Sequence, residues 1–179
     1  MQSEVVGASV GAVLRWKSIY AVVISLVFML LYIAWRFWSF AYAAGAVIAL
    51  LHDALVMLAV FLFFNREISI YTIGAILAVL GYSINDTIVI FSQIRQNVAR
   101  MISTPMYEIV NLSLNQTLRR TILTSAATAQ TVAVMFLLGG EVLRDFSLVI
   151  LVGIFFGTYS SIYMASPIML FFYKDHRNA

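Results

Sequence analysis

The 179-residue sequence contains no cysteine, only two prolines and few charged side chains, which make up 11% of the chain. The lack of cysteine excludes disulfides and thiolate metal sites. The chain also has no HExxH helix for a zinc protease and no phosphate-binding P-loop. These absences indicate that the protein is not an enzyme, holds no metal or other cofactor and does not hydrolyse ATP.

Long apolar stretches dominate the sequence instead, and 63% of its residues are hydrophobic. About 20 apolar residues suffice to cross the hydrocarbon core of a bilayer as a helix. The charge-poor stretches predict five transmembrane helices, at roughly residues 18–38, 40–64, 70–94, 121–138 and 146–173. The expected fold class is therefore all-α, a polytopic membrane helical bundle that occupies residues 1–179 as a single transmembrane domain.

The connection between the third and fourth of these helices has the pattern of a further, amphipathic helix. Thr104 and Pro105 are typical of a helix start. Beyond them apolar residues recur at every fourth position, at Met106, Val110, Leu114 and Leu118. The pattern predicts a cytoplasmic interfacial helix at roughly residues 105–118. It would be either a connector that rests on the membrane or a lever that transmits motion between its neighbours.

The basic side chains predict the orientation of the chain in the membrane. If the first helix runs inward, seven basic residues are cytoplasmic, namely Arg36, Arg95, Arg100, Arg119, Arg120, Lys174 and Arg177. The other four, at positions 15, 17, 66 and 144, are then external. The positive-inside rule favours this arrangement, with the N-terminus outside and the C-terminus cytoplasmic. Residues 1–16 lack a signal-peptide pattern, so we expect a preceding segment. Because the basic residues are dispersed over loops, nucleic acid is not an expected partner.

A single acidic residue, Asp86, lies inside the third predicted helix, and no other charge occurs between Glu67 and Arg95. A carboxylate near the middle of a bilayer costs about 2.5–3.5 kcal/mol on insertion scales. Such a residue is a functional-site candidate. Arg120 begins the fourth predicted helix at a similar depth, and antiparallel packing could bring the two side chains together. The pair would be either a proton-responsive switch or a permanent ion pair that locks two helices.

Other polar residues lie close to this pair in sequence or in depth. We expect Ser83 and Asn85 on the third helix, with Gln116 and Thr124 near Arg120, to support the site or to order water. Thr124 belongs to a stripe of threonines on one helix face, at positions 117, 121, 124, 128 and 131. These hydroxyls either bond to carbonyls of their own helix or face a partner or a wet crevice.

A second polar island, His52-Asp53, lies near the middle of the second predicted helix. Asp53 could join a proton relay or remain neutral and bonded to a nearby side chain, whereas His52 fits better as a packing residue. Two intramembrane aspartates would suit an aspartyl protease. That reading is disfavoured, because Asp86 follows Ile-Asn and Asp53 follows His, unlike the motifs of those enzymes.

Small residues recur at helical spacing and predict close helix packing. The last predicted helix has a ridge of small residues at every fourth position, formed by Gly153, Gly157, Ser161 and Ala165. In the second helix Gly45 lies on the same face as Asp53. These ridges predict a tight bundle and are also suited to docking a partner bundle.

Several multi-residue blocks occur along the chain in a fixed order. The most specific block is Gly81-Tyr-Ser-Ile-Asn-Asp-Thr87. The others are Glu4–Gly7, His52-Asp53, Asn115–Leu118, Arg120–Ile122, Asp145–Ser147 and Gly157–Ser161. These blocks resemble the SecF branch of the SecD/SecF family of protein-export membrane subunits, within the resistance-nodulation-division superfamily. The resemblance covers essentially the whole chain.

The resemblance implies a proton-driven accessory of the bacterial Sec machinery, located in the cytoplasmic (inner) membrane. Its expected partners are SecD, the SecYEG channel, preprotein substrates and the lipid bilayer, and its energy source is the proton gradient. Asp86 and Arg120 fall on the family's functional aspartate and arginine. Two alternatives are a passive scaffold that docks SecD or the channel and a small-molecule exporter of the same superfamily.

The sequence departs from the family pattern in two respects. The resemblance implies six helices and a periplasmic domain after the first, and this chain lacks that first helix and domain. We therefore expect it to be a fragment or a reduced form. After Phe91 the family usually has charged residues where this chain has Ser92, Gln93 and Gln96, which removes charge near the cytoplasmic end of the third helix.

Overall fold

The protein is described by a computed structural model that covers residues 8–65 and 69–173. Six α-helices and one π-helical segment follow in the order α1 (Ala8–Phe37), α2 (Phe40–Phe63), α3 (Ile70–Arg100), α4 (Met106–Leu138), α5 (Glu141–Ser160), the π segment (Ser161–Ala165) and α6 (Ser166–Phe172). Within these ranges the chain forms no strand. The all-α prediction is confirmed.

Five helical stretches are long and apolar enough to cross a membrane, at Trp16–Phe37, Phe40–Phe63, Ile70–Arg100, Met106–Leu138 and Leu143–Phe172. They correspond one to one with the five predicted spans. Large apolar side chains cover the outside of the bundle, among them Phe28, Trp35, Phe63, Phe155 and Phe171, each more than 60% exposed. Monomeric proteins in water rarely expose so much apolar surface, so this surface faces lipid or partner helices.

The predicted interfacial helix is not a separate element. Residues 106–118 form the first part of α4, which continues without a break to Leu138. No glycine or proline interrupts the run from Leu118 to Thr121, so nothing ends the helix there. At about 1.5 Å per residue α4 is about 50 Å long, well beyond the ~30 Å hydrocarbon core. Its N-terminal part therefore extends past the bilayer as a rigid continuation of the transmembrane helix.

Short connections make consecutive helices antiparallel neighbours. Trp38 adopts a positive φ of 52° between α1 and α2, and Asn65 adopts a φ of 49° after α2. Ser69 caps α3, where its hydroxyl accepts a hydrogen bond from the Thr72 amide and its own amide donates to the Thr72 hydroxyl. The loop predicted at residues 139–145 is shorter than expected, because α5 already begins at Glu141.

Helix α3 lies at the centre of the bundle, packed against α2, α4, α5 and the π segment, whereas α1 packs on one side of α2. The predicted small-residue ridges mark the close approaches. Gly153 faces Val79 of α3, Gly157 faces Ser83, and Gly45 faces the backbone of Ala165. The basic residues 15, 66, 174 and 177, used to predict orientation, lie outside the described side chains.

The sequence predicted the last span as one regular α-helix. The structure differs, because the π segment interrupts the span. Pro167 follows directly at the start of α6. Proline cannot donate a backbone hydrogen bond, and its ring crowds the carbonyl four residues earlier. A widened turn just before the proline accommodates both effects. Such π-helical turns occur frequently at functional sites.

Two glycines allow the packing to be tested with matched substitutions. A Cβ at Gly45 would lie 2.5 Å from the carbonyl oxygen of Ala165 and 2.9 Å from Cβ of Met169, whereas a Cβ at Gly74 would meet nothing within 4 Å. We expect Gly45→Ala to destabilise the protein by about 1–3 kcal/mol through overpacking. Gly74→Ala is expected to be neutral or to stabilise by about 0.5–1 kcal/mol. Unfolding of the purified protein in detergent measures both, and equal effects would contradict the packing described.

Candidate functional site

Asp86 occupies the buried side of α3, and its side chain is only 8% exposed. Its Oδ2 atom lies 3.4 Å from the Ser125 hydroxyl on α4. That hydroxyl lies 2.7 Å from the hydroxyl of Thr158 on α5, which in turn donates to the carbonyl of Ile154 at 2.7 Å. A chain of hydroxyl groups thus connects the carboxyl group of α3 to α4 and α5.

Arg120 is exposed and forms no ion pair with Asp86 within the described part of the chain. Instead it lines an open crevice of about 350 Å³ between α3 and α4, together with Ile88, Val89, Ser92, Gln93, Gln96, Gln116 and Thr117. Val89 is three residues from Asp86, so the crevice ends about one helical turn from the carboxyl group. The geometry does not support a permanent Asp86–Arg120 lock.

Gln116 belongs to an amide cluster and does not contact Asp86. Its side-chain oxygen accepts hydrogen bonds from Gln93 and from Asn97, each at 2.8 Å. Asn97 also donates to the Ser113 hydroxyl at 2.8 Å. The cluster joins the C-terminal part of α3 to the N-terminal part of α4 along the crevice.

The threonine stripe on α4 mostly bonds to its own helix. The hydroxyls of Thr117, Thr124, Thr128 and Thr131 each donate to a carbonyl four residues earlier. Thr121 differs, because its hydroxyl is buried and has no hydrogen-bond partner among the described residues. The side chain of Thr124 is exposed and its hydroxyl bonds to its own helix, so Thr124 does not contact Asp86.

Asp53 forms a second buried site, separate from that of Asp86, and its side chain is 0% exposed. Its Oδ2 atom accepts hydrogen bonds from the Ser83 hydroxyl at 2.7 Å and from the Ser160 hydroxyl at 2.9 Å. The half-buried His52 places Nδ1 at 3.3 Å from the other carboxyl oxygen. Ser83 thus serves Asp53, and the neighbouring Asn85 is exposed on the outer face of α3.

Sequence reasoning missed three hydroxyl groups that make these contacts, those of Ser125, Thr158 and Ser160. All three occur in sequence blocks that carry little charge, and nothing in their spacing indicates which neighbouring helix they face. A signal was available for Ser160, because the pair Ser160-Ser161 interrupts an otherwise apolar run.

Five membrane-spanning helices around two buried, hydroxyl-bonded carboxyl groups define a polytopic membrane bundle with an intramembrane acidic site. Residues 1–175 match the family model described as "Protein export membrane protein SecD/SecF, C-terminal". The chain belongs to the SecD/SecF family.

Individual relatives agree with this assignment. The chain is 46% identical to the protein translocase subunit SecF of Koribacter versatilis, over 97% of this chain and 43% of the relative. It is 44% identical to the subunit SecDF of Thermus thermophilus, over 100% of this chain and 24% of the relative. Identity to SecF of Escherichia coli O157:H7 is 42%, over 93% and 51%. The chain therefore spans about a quarter to a half of the length of these relatives.

The two aspartates differ in accessibility, which chemical modification can test within one protein. A hydrophobic carbodiimide modifies protonated carboxyl groups inside membranes. At mildly acidic pH we expect it to modify Asp86, which is 8% exposed beside the crevice, and to leave the fully enclosed Asp53 unmodified. Mass spectrometry of peptides from the folded protein distinguishes the two positions. Preferential modification of Asp53 would show that the crevice does not give access to Asp86.

Proposed function

We propose that this chain is the membrane part of a SecF-type subunit that works with SecD and uses the proton gradient to promote preprotein export through the SecYEG channel. Membership in the SecD/SecF family supports this proposal. So do the names of its relatives, which are protein translocase subunits. The observation that carries the proton step is Asp86, a buried acid one helical turn from an open crevice.

Through the hydroxyl chain, protonation of Asp86 on α3 changes the hydrogen bonds between α4 and α5. Each hydroxyl has a single hydrogen to donate. When Asp86 is protonated, it can donate to Ser125, Ser125 to Thr158, and Thr158 to the carbonyl of Ile154. Every hydrogen then has one acceptor, at the distances given above.

Loss of the proton reverses the order of this chain. An ionised Asp86 only accepts hydrogen bonds, so Ser125 must turn its hydrogen toward the carboxylate. Thr158 must then turn its own hydrogen from the carbonyl of Ile154 to Ser125, or give up its hydrogen bond with Ser125. Proton uptake and release on α3 therefore change how α4 is bonded to α5, a local charge change acting on a helix contact as in other proton-coupled switches.

Arg120 has its role in the crevice. It lies five residues before Ser125 on α4 and lines the crevice that ends about one helical turn from Asp86. It favours the ionised carboxylate when the helices are close, and its influence weakens when they separate. Five of the described arginines, at positions 36, 95, 100, 119 and 120, lie near the C-terminal ends of α1 and α3 or in the first half of α4. The positive-inside rule places this end of the bundle in the cytoplasm. The crevice therefore opens to the cytoplasm of a bacterial inner-membrane protein.

One face of α3 is suited to contact with SecD. Gly74, Ala78 and Asn85 are exposed there and form a stripe of small and polar residues. Small residues allow helix backbones to approach closely within membranes. The Thermus relative is named SecDF, which supports SecD as the occupant of this face.

Asp86→Asn tests the proton step. In the full-length subunit assembled with its partners, we expect the gradient-dependent part of preprotein export to be lost, because an amide cannot take up and release the proton. The measurement is export of a reporter preprotein at imposed proton gradients. Glu108→Gln is the matched control, since it removes an exposed carboxylate at the start of α4. Retained gradient dependence in Asp86→Asn would favour the scaffold alternative.

The partner face is tested with two exposed alanines. We expect Ala78→Trp on α3 to weaken association with SecD about tenfold or more, because a bulky side chain prevents close helix approach. Ala59→Trp on α2, also exposed, serves as the control for insertion and folding. Co-purification of SecD with each variant gives the answer. If both variants retain SecD equally, the α3 face is not its docking site.

A further inference from the structure

Asp53 connects three parts of the bundle through hydrogen bonds to one carboxyl group. The carboxyl group belongs to α2, its donor Ser83 to α3, and its donor Ser160 to the last turn of α5, directly before the π segment. Both donors contact the same oxygen and both are buried. The Ser160 hydroxyl can also donate to the carbonyl of Gly157 at 3.1 Å, whereas among the described residues the Ser83 hydroxyl has Asp53 as its acceptor. Because a buried hydroxyl that loses its acceptor is destabilising, the carboxyl group holds Ser83 in place.

The same network reaches the turn of α3 that carries Asp86. The hydroxyl of Ser161, the first residue of the π segment, donates to the carbonyl of Ser83 at 3.3 Å. The Thr87 hydroxyl lies 2.9 Å from the Ser161 hydroxyl. Thr87 directly follows Asp86, so the turn from Ser83 to Thr87 is fixed against the π segment while Asp86 itself contacts Ser125 of α4.

Gly157 leaves the space that this network needs. A Cβ at this position would lie 3.0 Å from the Ser83 hydroxyl oxygen and 3.5 Å from the Asp53 carboxyl oxygen. Gly153, one turn earlier on the same helix, packs still more tightly, against the side chains of Val79 and Met57. Gly140, directly before α5, is the matched control for Gly157, because a Cβ there would meet nothing within 4 Å.

Asp53 has the environment of a hydrogen-bond acceptor rather than of a proton carrier. It does not line the crevice. The ionisable group beside it is His52 on its own helix, and what faces it from α3 and α5 is the pair of hydroxyls of Ser83 and Ser160. None of the described lysine or arginine side chains forms an ion pair with it.

We propose that Asp53 is a positioning residue for the proton site. By accepting hydrogen bonds from Ser83 and Ser160, it fixes the turn of α3 that carries Asp86 against the π segment. This inference rests on the proposed role of Asp86, although its primary test does not require protein export. It assigns a role to a second buried acid through a named set of contacts.

The test compares the rate at which a carbodiimide modifies Asp86 in the assembled, full-length complex. Asp53→Asn keeps a carbonyl oxygen where the two serines donate, so we expect the Asp86 rate and the pH profile of export to stay close to those of the unsubstituted protein. Asp53→Leu removes the acceptor at similar volume. We expect Asp53→Leu to change the rate of Asp86 modification by about threefold or more and to shift the pH profile of export.

The glycine pair keeps the proposal testable if Asp53→Leu does not fold. We expect Gly157→Ala, which displaces Ser83, to change the rate of Asp86 modification by about threefold. Gly140→Ala is expected to leave that rate unchanged, because a Cβ there would meet nothing within 4 Å. Equal effects of the two glycine variants would overturn the proposal. So would a loss of gradient-dependent export in Asp53→Asn, because Asp53 would then carry a proton itself. If Asp86→Asn proves harmless, the proposed function fails, yet the modification rates still decide whether Asp53 positions Asp86.

Discussion

The organisation of this bundle depends on one constraint, which is that polar groups inside a membrane must find partners within the protein. The carboxyl groups of Asp53 and Asp86 meet this constraint with hydroxyls from neighbouring helices rather than with cations. Hydroxyl partners require close helix approach, and residues such as Gly157 provide it. The small-residue ridge of the last span is therefore as much a consequence of the buried acids as of apolar packing.

Asp53 on α2 contacts the same short stretch of α3 that carries Asp86, and the two acids differ in one physical respect. Asp86 is close to an open crevice, whereas Asp53 is enclosed by Ser83, Ser160 and the half-buried His52. A group that exchanges protons needs a route for them, and a group that holds helices in register is served by enclosure. The same chemical group therefore suits two tasks, and access alone separates them.

The sequence predicted the five spans and indicated that Asp86 is an acid inside the bundle, because both follow from local composition and from the cost of a charge in an apolar helix. It did not predict which polar residues contact which acid. Asn85 is adjacent to Asp86 but exposed, and Ser83 bonds to Asp53. These outcomes depend on helix rotation and crossing, which no single helix encodes. Residues 106–118 are part of α4 because no glycine or proline ends the helix after them. The amphipathic pattern of these residues suggested a separate helix instead.

The continuity of α4 gives the site a mechanical consequence. Ser125, the partner of Asp86, and Ser113, in the amide cluster along the crevice, lie on one uninterrupted helix about 18 Å apart along its axis. A separate interfacial helix joined by a flexible link would absorb a displacement at Ser125. A continuous helix transmits it to the contacts that Ser113 and Gln116 make with Asn97. Of the two roles considered for residues 105–118, a resting connector and a lever, the continuous helix favours the lever.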